Sequence, residues 1–192
     1  VDRESGIANS RLVGYTSAEA HACNARAFDM LGLGTDALRR IPTDDSFRIN
    51  TTALQAAIDA DRAAGLQPFA IIGTAGTVNT GAIDDLPALA SIAATENIWF
   101  HIDGAFAASG IMSDTLRPKL AGMELADSIA FDFHKWCHVN YDAGFVLIRE
   151  GDWLRRAFST RPDYLQPKLR CLAAGEPWPV EFGPELSRGF RA

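Results

Sequence analysis

The chain has 192 residues, of which 47% are apolar and 22% charged, the proportions of an ordinary globular domain and not of a disordered polypeptide. At this length a compact fold buries roughly 70% of the unfolded surface, so one core suffices without disulfide or metal staples, and a second small domain is not required. A net charge of −6 speaks against the basic surface that nucleic-acid or anionic-membrane binding needs, and no apolar run approaches the roughly 18 residues of a membrane span, so neither partner is expected.

Short β-like runs alternate with helical stretches along the chain. Leu12–Ser17 (LVGYTS) predicts a strand, and 18–31 a helix stopped by Gly32 and Gly34. A second helix is expected over 51–64, capped by Asn50 or Thr51, with Leu54, Ala57 and Ile58 as its apolar stripe and Gly65 after its end. The run FAIIG at 69–73 has the continuous apolar character of a strand buried on both faces. A loop over 74–83 follows, then a helix capped by Asp84 or Asp85, with Pro87 in its first turn and Leu86, Leu89, Ala90 and Ala93 on one face. Further strands are expected at 98–103, 128–133 and 144–149. Beyond Arg161 the density of prolines (Pro162, Pro167, Pro177, Pro179, Pro184) predicts irregular structure. This alternation implies an α/β fold, a mostly parallel sheet with helices on both faces, and such sheets place their chemistry at the carboxyl ends of the strands.

Three cysteines, Cys23, Cys137 and Cys171, are odd in number and widely spaced. They form neither a disulfide framework nor a CxxC pair, which suggests a reducing, cytoplasmic compartment. The amino terminus VDRESGIANS shows no basic segment leading into an apolar one, so no secretory signal is read there. The start at Val1 and the close at RGFRA raise the expectation that the 192 residues are a piece of a longer protein.

The strand ends supply the candidates for chemistry. Asp103 closes IWFHID and precedes the small-residue patch GAFAAS; it is either an N-cap or a carboxylate that something approaches closely. Lys135 lies in FDFHKWCH, where Phe131, Phe133 and Trp136 would desolvate its amine and make it a usable nucleophile. The two are 32 residues apart, about one βαβ unit, so both would project from the same edge of the sheet. A lysine amine facing a carboxylate across a flat ring is the arrangement that pyridoxal phosphate uses, the lysine as Schiff-base partner and the acid on the ring nitrogen. His21 sits in the first helix as a surface, core or site histidine. The segment TAGTVNTG, from Thr74 to Gly81, can approach a cofactor with backbone N–H groups, yet neither a P-loop nor GxGxxG is present. His134, Cys137 and His138 are a tight trio without a second cluster, so no metal site is expected, and Cys137 is read as a small buried hydrophobe.

Four segments, SAEAHACNARAFDMLGLG, IIGTAGTVNTGAIDDL, WFHIDGAFAAS and ADSIAFDFHKWCHVNYDAGFVLIR, together resemble the pyridoxal-phosphate-dependent group II amino-acid decarboxylases, the aromatic-L-amino-acid, tyrosine, histidine and glutamate decarboxylase family. The resemblance runs over nearly the whole chain, and an HKW lysine preceded by HIDGAF is specific to it. It implies a fold-type-I large domain, here partial over 1–192, without the family's upstream phosphate-binding segment and small C-terminal domain. By the same resemblance Lys135 would bind pyridoxal 5'-phosphate as a Schiff base and His134 would sit near its phosphate. Asp103 would keep the ring nitrogen protonated, Ala105 would pack on the ring, His21 would stack over its other face, and Thr77 would line the pocket. The implied activity is decarboxylation of an L-amino acid by a homodimer. The stretch PWPVEFGPELSRGF is closer to the aromatic branch than to the glutamate decarboxylases. The alternatives are another fold-type-I enzyme, an aminotransferase or oxidative deaminase, and an inactive fragment that acts as an interaction module.

Overall fold

Six strands make one sheet in the order β2-β1-β3-β4-β5-β6. In this computed structural model, which describes residues 10–159 and 179–184, they are β1 (Leu12–Ser17), β2 (Leu38–Ile41), β3 (Gln67–Thr74), β4 (Trp99–Asp103), β5 (Ser128–Asp132) and β6 (Gly144–Ile148). The pairs β1–β2, β1–β3, β3–β4 and β4–β5 are all parallel. The helices are α1 (Cys23–Met30), α2 (Thr51–Ala63), α3 (Leu86–Glu96) and α4 (Gly151–Phe158). The chain divides into two compact units at Leu147/Ile148.

The expected α/β architecture is therefore present, with α1 on one face of the sheet and α2 and α3 on the other. Leu54, Ile58 and Leu89 join Tyr15, Ile71, Phe100 and Ile102 in the larger core. Phe28 of α1 meets Leu38 and Ile72 in a smaller one. Two glycines permit these contacts. A Cβ on Gly14 would lie 2.6 Å from the Phe28 ring, and one on Gly73 would lie 2.9 Å from Leu89, so each helix seats against bare backbone.

Local chemistry sets most element ends. Asn50 accepts the Ala53 N–H at the start of α2, and Asp85 accepts the Ala88 N–H at the start of α3. Asn97 closes α3 in the left-handed conformation, with φ 53°. Three expectations need correction. The first helix begins at Cys23, not at 18, because the Ser17 hydroxyl takes the Glu19 N–H and turns the chain as β1 ends. The strand β2 (LRRI) was not expected: its two central arginines hide the alternation, and its pairing with β1 makes it a strand. Helix α4 was also missed; in the second unit its Arg155 lies 3.7 Å from the buried Glu181, which also accepts from the Ser159 hydroxyl. Of the proline-rich tail, 162–178 and 185–192 lie outside the described residues, and Pro179–Phe182 form a single 3-10 turn.

The edge strand β2 is tied down by a polar cluster. Arg39 grips Asp61 of α2 through Nε and Nη2 at 3.0 and 2.9 Å, and the Tyr15 hydroxyl donates to the same carboxylate at 2.9 Å. The guanidinium holds the Asp61 carboxyl below its ordinary range, while burial and then the Asp61 bond push the Tyr15 phenol up. A carboxyl lowered by folding stabilises the native state above its unfolded value, and that contribution is lost as the pH falls through the folded value. Asp61→Asn is therefore expected to lower the unfolding free energy by roughly 1–3 kcal/mol at pH 7, with the gap complete above about pH 4 and closing below it. Denaturant titrations across that range check this, and equal stability at pH 7 would refute it.

Candidate active site

The register of the parallel strands brings Thr74, Asp103 and Ala130 side by side at the carboxyl edge of β3, β4 and β5. All three line a cavity of about 280 Å³, near the lower end of the roughly 300–1,000 Å³ range of ligand pockets. Five of the six predicted site residues, His21, Thr77, Asp103, Ala105 and Lys135, line this one cavity. A larger open groove of about 430 Å³ at the start of α3 contains none of them.

Each arrives there for a local reason. After β3 the chain folds back on itself, with the N–H groups of Gly76 and Thr77 donating to the Ala82 carbonyl at 3.1 and 2.9 Å. Gly76 is required there: its φ is +88° and a Cβ would lie 2.8 Å from Ala107. The loop is anchored by Asp84, 4% exposed, which accepts from the N–H groups of Thr74 and Ile49 at 2.8 and 2.7 Å. Burial raises the Asp84 carboxyl above its ordinary value. Of the two candidate caps for α3, Asp85 does the capping and Asp84 holds the loop.

Asp103 does not cap an α-helix. Its Oδ1 accepts the Ala105 N–H at 3.2 Å in a tight turn, and the chain continues into a 3-10 stretch, Ala108–Met112. Gly104 makes the turn possible, since a Cβ there would come 2.5 Å from Ala108. On β4, His101 shares a face with Asp103 two residues on. Its Nδ1 lies 2.6 Å from the Ser128 hydroxyl, which also accepts from Trp99 Nε1 at 2.8 Å. Burial lowers the His101 imidazole below its ordinary value, with the Asp103 charge opposing that shift, so the ring is neutral at pH 7.

Lys135 follows β5. The sequence suggests that Phe131 and Phe133 surround its amine, and the structure corrects this. Those two rings pack with each other and with Phe145, on the opposite face of the strand from Asp132. The ammonium instead lies 2.9 Å from Asp132 Oδ2 and 5.0 Å from the centre of the Phe106 ring. Trp136 is 46% exposed, edge-on to Phe106.

His21 precedes α1 and accepts the Cys23 N–H on Nδ1 at 3.2 Å. His134 does not line the cavity: its Nδ1 accepts the Ala143 N–H at 2.9 Å and its ring meets Tyr141 edge-on. His134, Cys137 and His138 are not gathered into a metal-binding group among the described residues. Cys137 is only partly buried, so it is not the core hydrophobe expected of it.

Asp132, His101 and Phe106 line the cavity unforeseen. Asp132 was legible as an acid three residues before the lysine, and His101 as the residue two before Asp103 on the same strand face.

These features define a parallel α/β domain whose carboxyl edge presents an amine and an acid in one cleft sized for a single ring compound. The model of the pyridoxal-dependent decarboxylase conserved domain matches residues 2–188, and the chain belongs to that family. An aromatic-L-amino-acid decarboxylase from Bacillus atrophaeus is 40% identical over 93% of this chain, and a tryptophan decarboxylase from Camptotheca acuminata 37% over 96%. The chain spans 37% of the length of each of these relatives. Oryza sativa TDC, solved with PLP and tryptamine, superposes with a TM-score of 0.79 at 29% identity, covering 86% of this chain and 36% of that one. Mouse CSAD gives 0.79 at 32%, covering 82% and 34%. The family's cofactor is pyridoxal phosphate, and the residues present fit it: a lysine amine, a carboxylate and a histidine line the same cleft.

Removing the Asp84 carboxylate should loosen the loop that carries Thr77. Asp84→Ala leaves two buried N–H groups unpaired and is expected to cost about 2–4 kcal/mol. Thermal or urea unfolding measures the loss, and a loss below about 0.5 kcal/mol would contradict the anchoring role.

Proposed function

We propose that this chain carries the cofactor cleft of an enzyme that removes the carboxylate of an L-amino acid as carbon dioxide, with pyridoxal 5'-phosphate bound to Lys135 and an aromatic side chain on the substrate. The observation that carries the proposal is the convergence of Lys135, Asp103, His21, Thr77 and Ala105 on one cavity at the carboxyl edge of the sheet. The aromatic preference is supported by the names of the relatives, among them aromatic-L-amino-acid and tryptophan decarboxylases.

The bound cofactor supplies a protonated pyridine ring that accepts the electron pair left when carbon dioxide departs. The protein supplies the rest. The Asp103 carboxylate favours a proton on the ring nitrogen, because an adjacent negative charge stabilises the cationic form. Its aim is fixed by the Ala105 N–H and by the pairing of β4 with β3 and β5. Lys135 would supply the amine that holds the cofactor, and from its place in the cleft the same amine could carry a proton to or from the substrate carbon. His21, held by the Cys23 N–H, Ala105 and Thr77 line the same cavity and would hold the cofactor ring, His21 and Ala105 from its two faces by the family resemblance. His134, which accepts the Ala143 N–H, lies outside the cavity lining and is assigned a place near the cofactor phosphate only by the family resemblance.

Assembly as a homodimer comes to the proposal with the family resemblance. A reducing, cytoplasmic setting enters the proposal from the odd number and wide spacing of Cys23, Cys137 and Cys171 in the sequence.

The test is carbon dioxide release from a panel of L-amino acids with added cofactor, together with identification of the organic product. Amine and carbon dioxide in equal amounts, greatest with aromatic substrates, are expected; an aldehyde or oxo-acid product would replace the proposal with oxidative or amino-transfer chemistry. Lys135→Ala should abolish borohydride-fixed cofactor and activity together. Asp103→Asn should retain the fixed cofactor and lose about 10²-fold or more in turnover. Cofactor fixed to Lys135→Ala to the wild-type extent would overturn the assignment.

A further inference from the structure

The neighbour of Lys135 has a consequence beyond the role of the lysine itself. Asp132 Oδ2 lies 2.9 Å from Lys135 Nζ and 3.7 Å from His134 Nε2. Because His134 Nδ1 accepts from the Ala143 N–H, a neutral ring carries its proton on Nε2, the nitrogen that faces Asp132. On the other side, a Cβ at Gly144 would come 3.3 Å from Asp132 Oδ1, so the glycine leaves the carboxylate its room. Asp132 and Lys135 are both partly enclosed, their side chains 24% and 33% exposed. The other titratable groups around the cleft are Asp103 and His101 from β4, and His21 and Cys23 from the start of α1. Asp132 is the acid in contact with the amine.

Resting on the assignment of Lys135 as the cofactor amine, we propose that Asp132 is a positioning residue whose ion pair holds the Lys135 amine over the Phe106 ring and must be broken before capture, and that it thereby sets the rate of covalent cofactor capture. An ammonium nitrogen has no lone pair, so a proton must leave before the nitrogen can attack the aldehyde carbon. The freed pair then forms the carbon–nitrogen bond. The carbonyl oxygen takes up two protons and departs as water, and the nitrogen keeps one proton in the resulting double bond. In sum, ammonium and aldehyde give a protonated carbon–nitrogen double bond and water, with charge conserved. A carboxylate 2.9 Å away opposes the first step, because it stabilises the charge that has to be given up. The same carboxylate remains beside the positive charge of the product, so the effect falls on rate more than on final occupancy.

The experiment measures the initial rate at which pyridoxal phosphate becomes borohydride-fixed to Lys135, followed by peptide mass spectrometry on the full chain. Asp132→Asn removes the charge and keeps the shape; Asp132→Ser repeats the comparison without an amide; Asp132→Glu keeps the charge. At pH 7 the first two are expected to capture cofactor about tenfold faster than wild type, the equivalent of roughly 1.4 kcal/mol. Asp132→Glu should stay within about twofold of wild type, roughly 0.4 kcal/mol by the same conversion. The advantage of the Asn and Ser variants should shrink as the pH rises past the ordinary lysine value of about 10.4. A merely structural role would slow capture at every pH. Rates for Asn and Ser equal to or below wild type at pH 7 would overturn the proposal while leaving Lys135 as the cofactor amine. Absence of label on wild-type Lys135 would overturn both.

Discussion

The parallel pairing of β3, β4 and β5 is the constraint on which the site depends. In a parallel sheet every strand ends at the same edge. The register Thr74↔Asp103↔Ala130 therefore places three chain segments, otherwise remote in sequence, within reach of one small molecule. A shift of one residue along β4 would turn Asp103 to the other face and bring Ile102 to the rim. The larger core resists that shift, because Ile102 and Phe100 are buried there against α3 and the neighbouring strands.

Around that edge the backbone is held close by glycines and by buried polar groups that have no part in reaction chemistry. Gly76 and Gly104 let the turns after β3 and β4 pack against Ala107 and Ala108. Asp84 spends its burial on two backbone N–H groups, fixing the loop behind Thr77. The hydroxyl of Ser128 joins Trp99 and His101 beneath Asp103. The cleft is thus rigid on its floor, as a site that must hold a planar group at a defined tilt requires.

Its electrostatics are less simple than one amine facing one acid. Lys135 has its own carboxylate partner in Asp132, on the same strand end and apart from Asp103. The two acids differ by position: Asp103 sits at the tip of β4, and Asp132 at the tip of β5 beside the amine. An ammonium paired in this way is kept out of the apolar surroundings of Phe131, Phe133 and Phe145, whose rings fill the opposite face.

The alternation of apolar runs and helical stretches was enough to predict an α/β sheet, the places of β1, β3, β4 and β5, the caps Asn50 and Asp85, and the strand ends where chemistry belongs. These are local signals, because side-chain period and capping act over a few residues. The strand β2 and the first turn of α1 were not legible, since LRRI is a strand only against β1 and the chain at 18–22 turns on a Ser17 hydroxyl bond. The sequence by itself singled out Lys135, Asp103 and His21, which stand in motifs read without coordinates. Only the tertiary structure decided their company. It placed Asp132 on the amine, withdrew His134 behind Ala143 and set His101 beneath the acid. Side-chain partners across strands depend on register and rotamer, and neither is encoded in the spacing along a single chain.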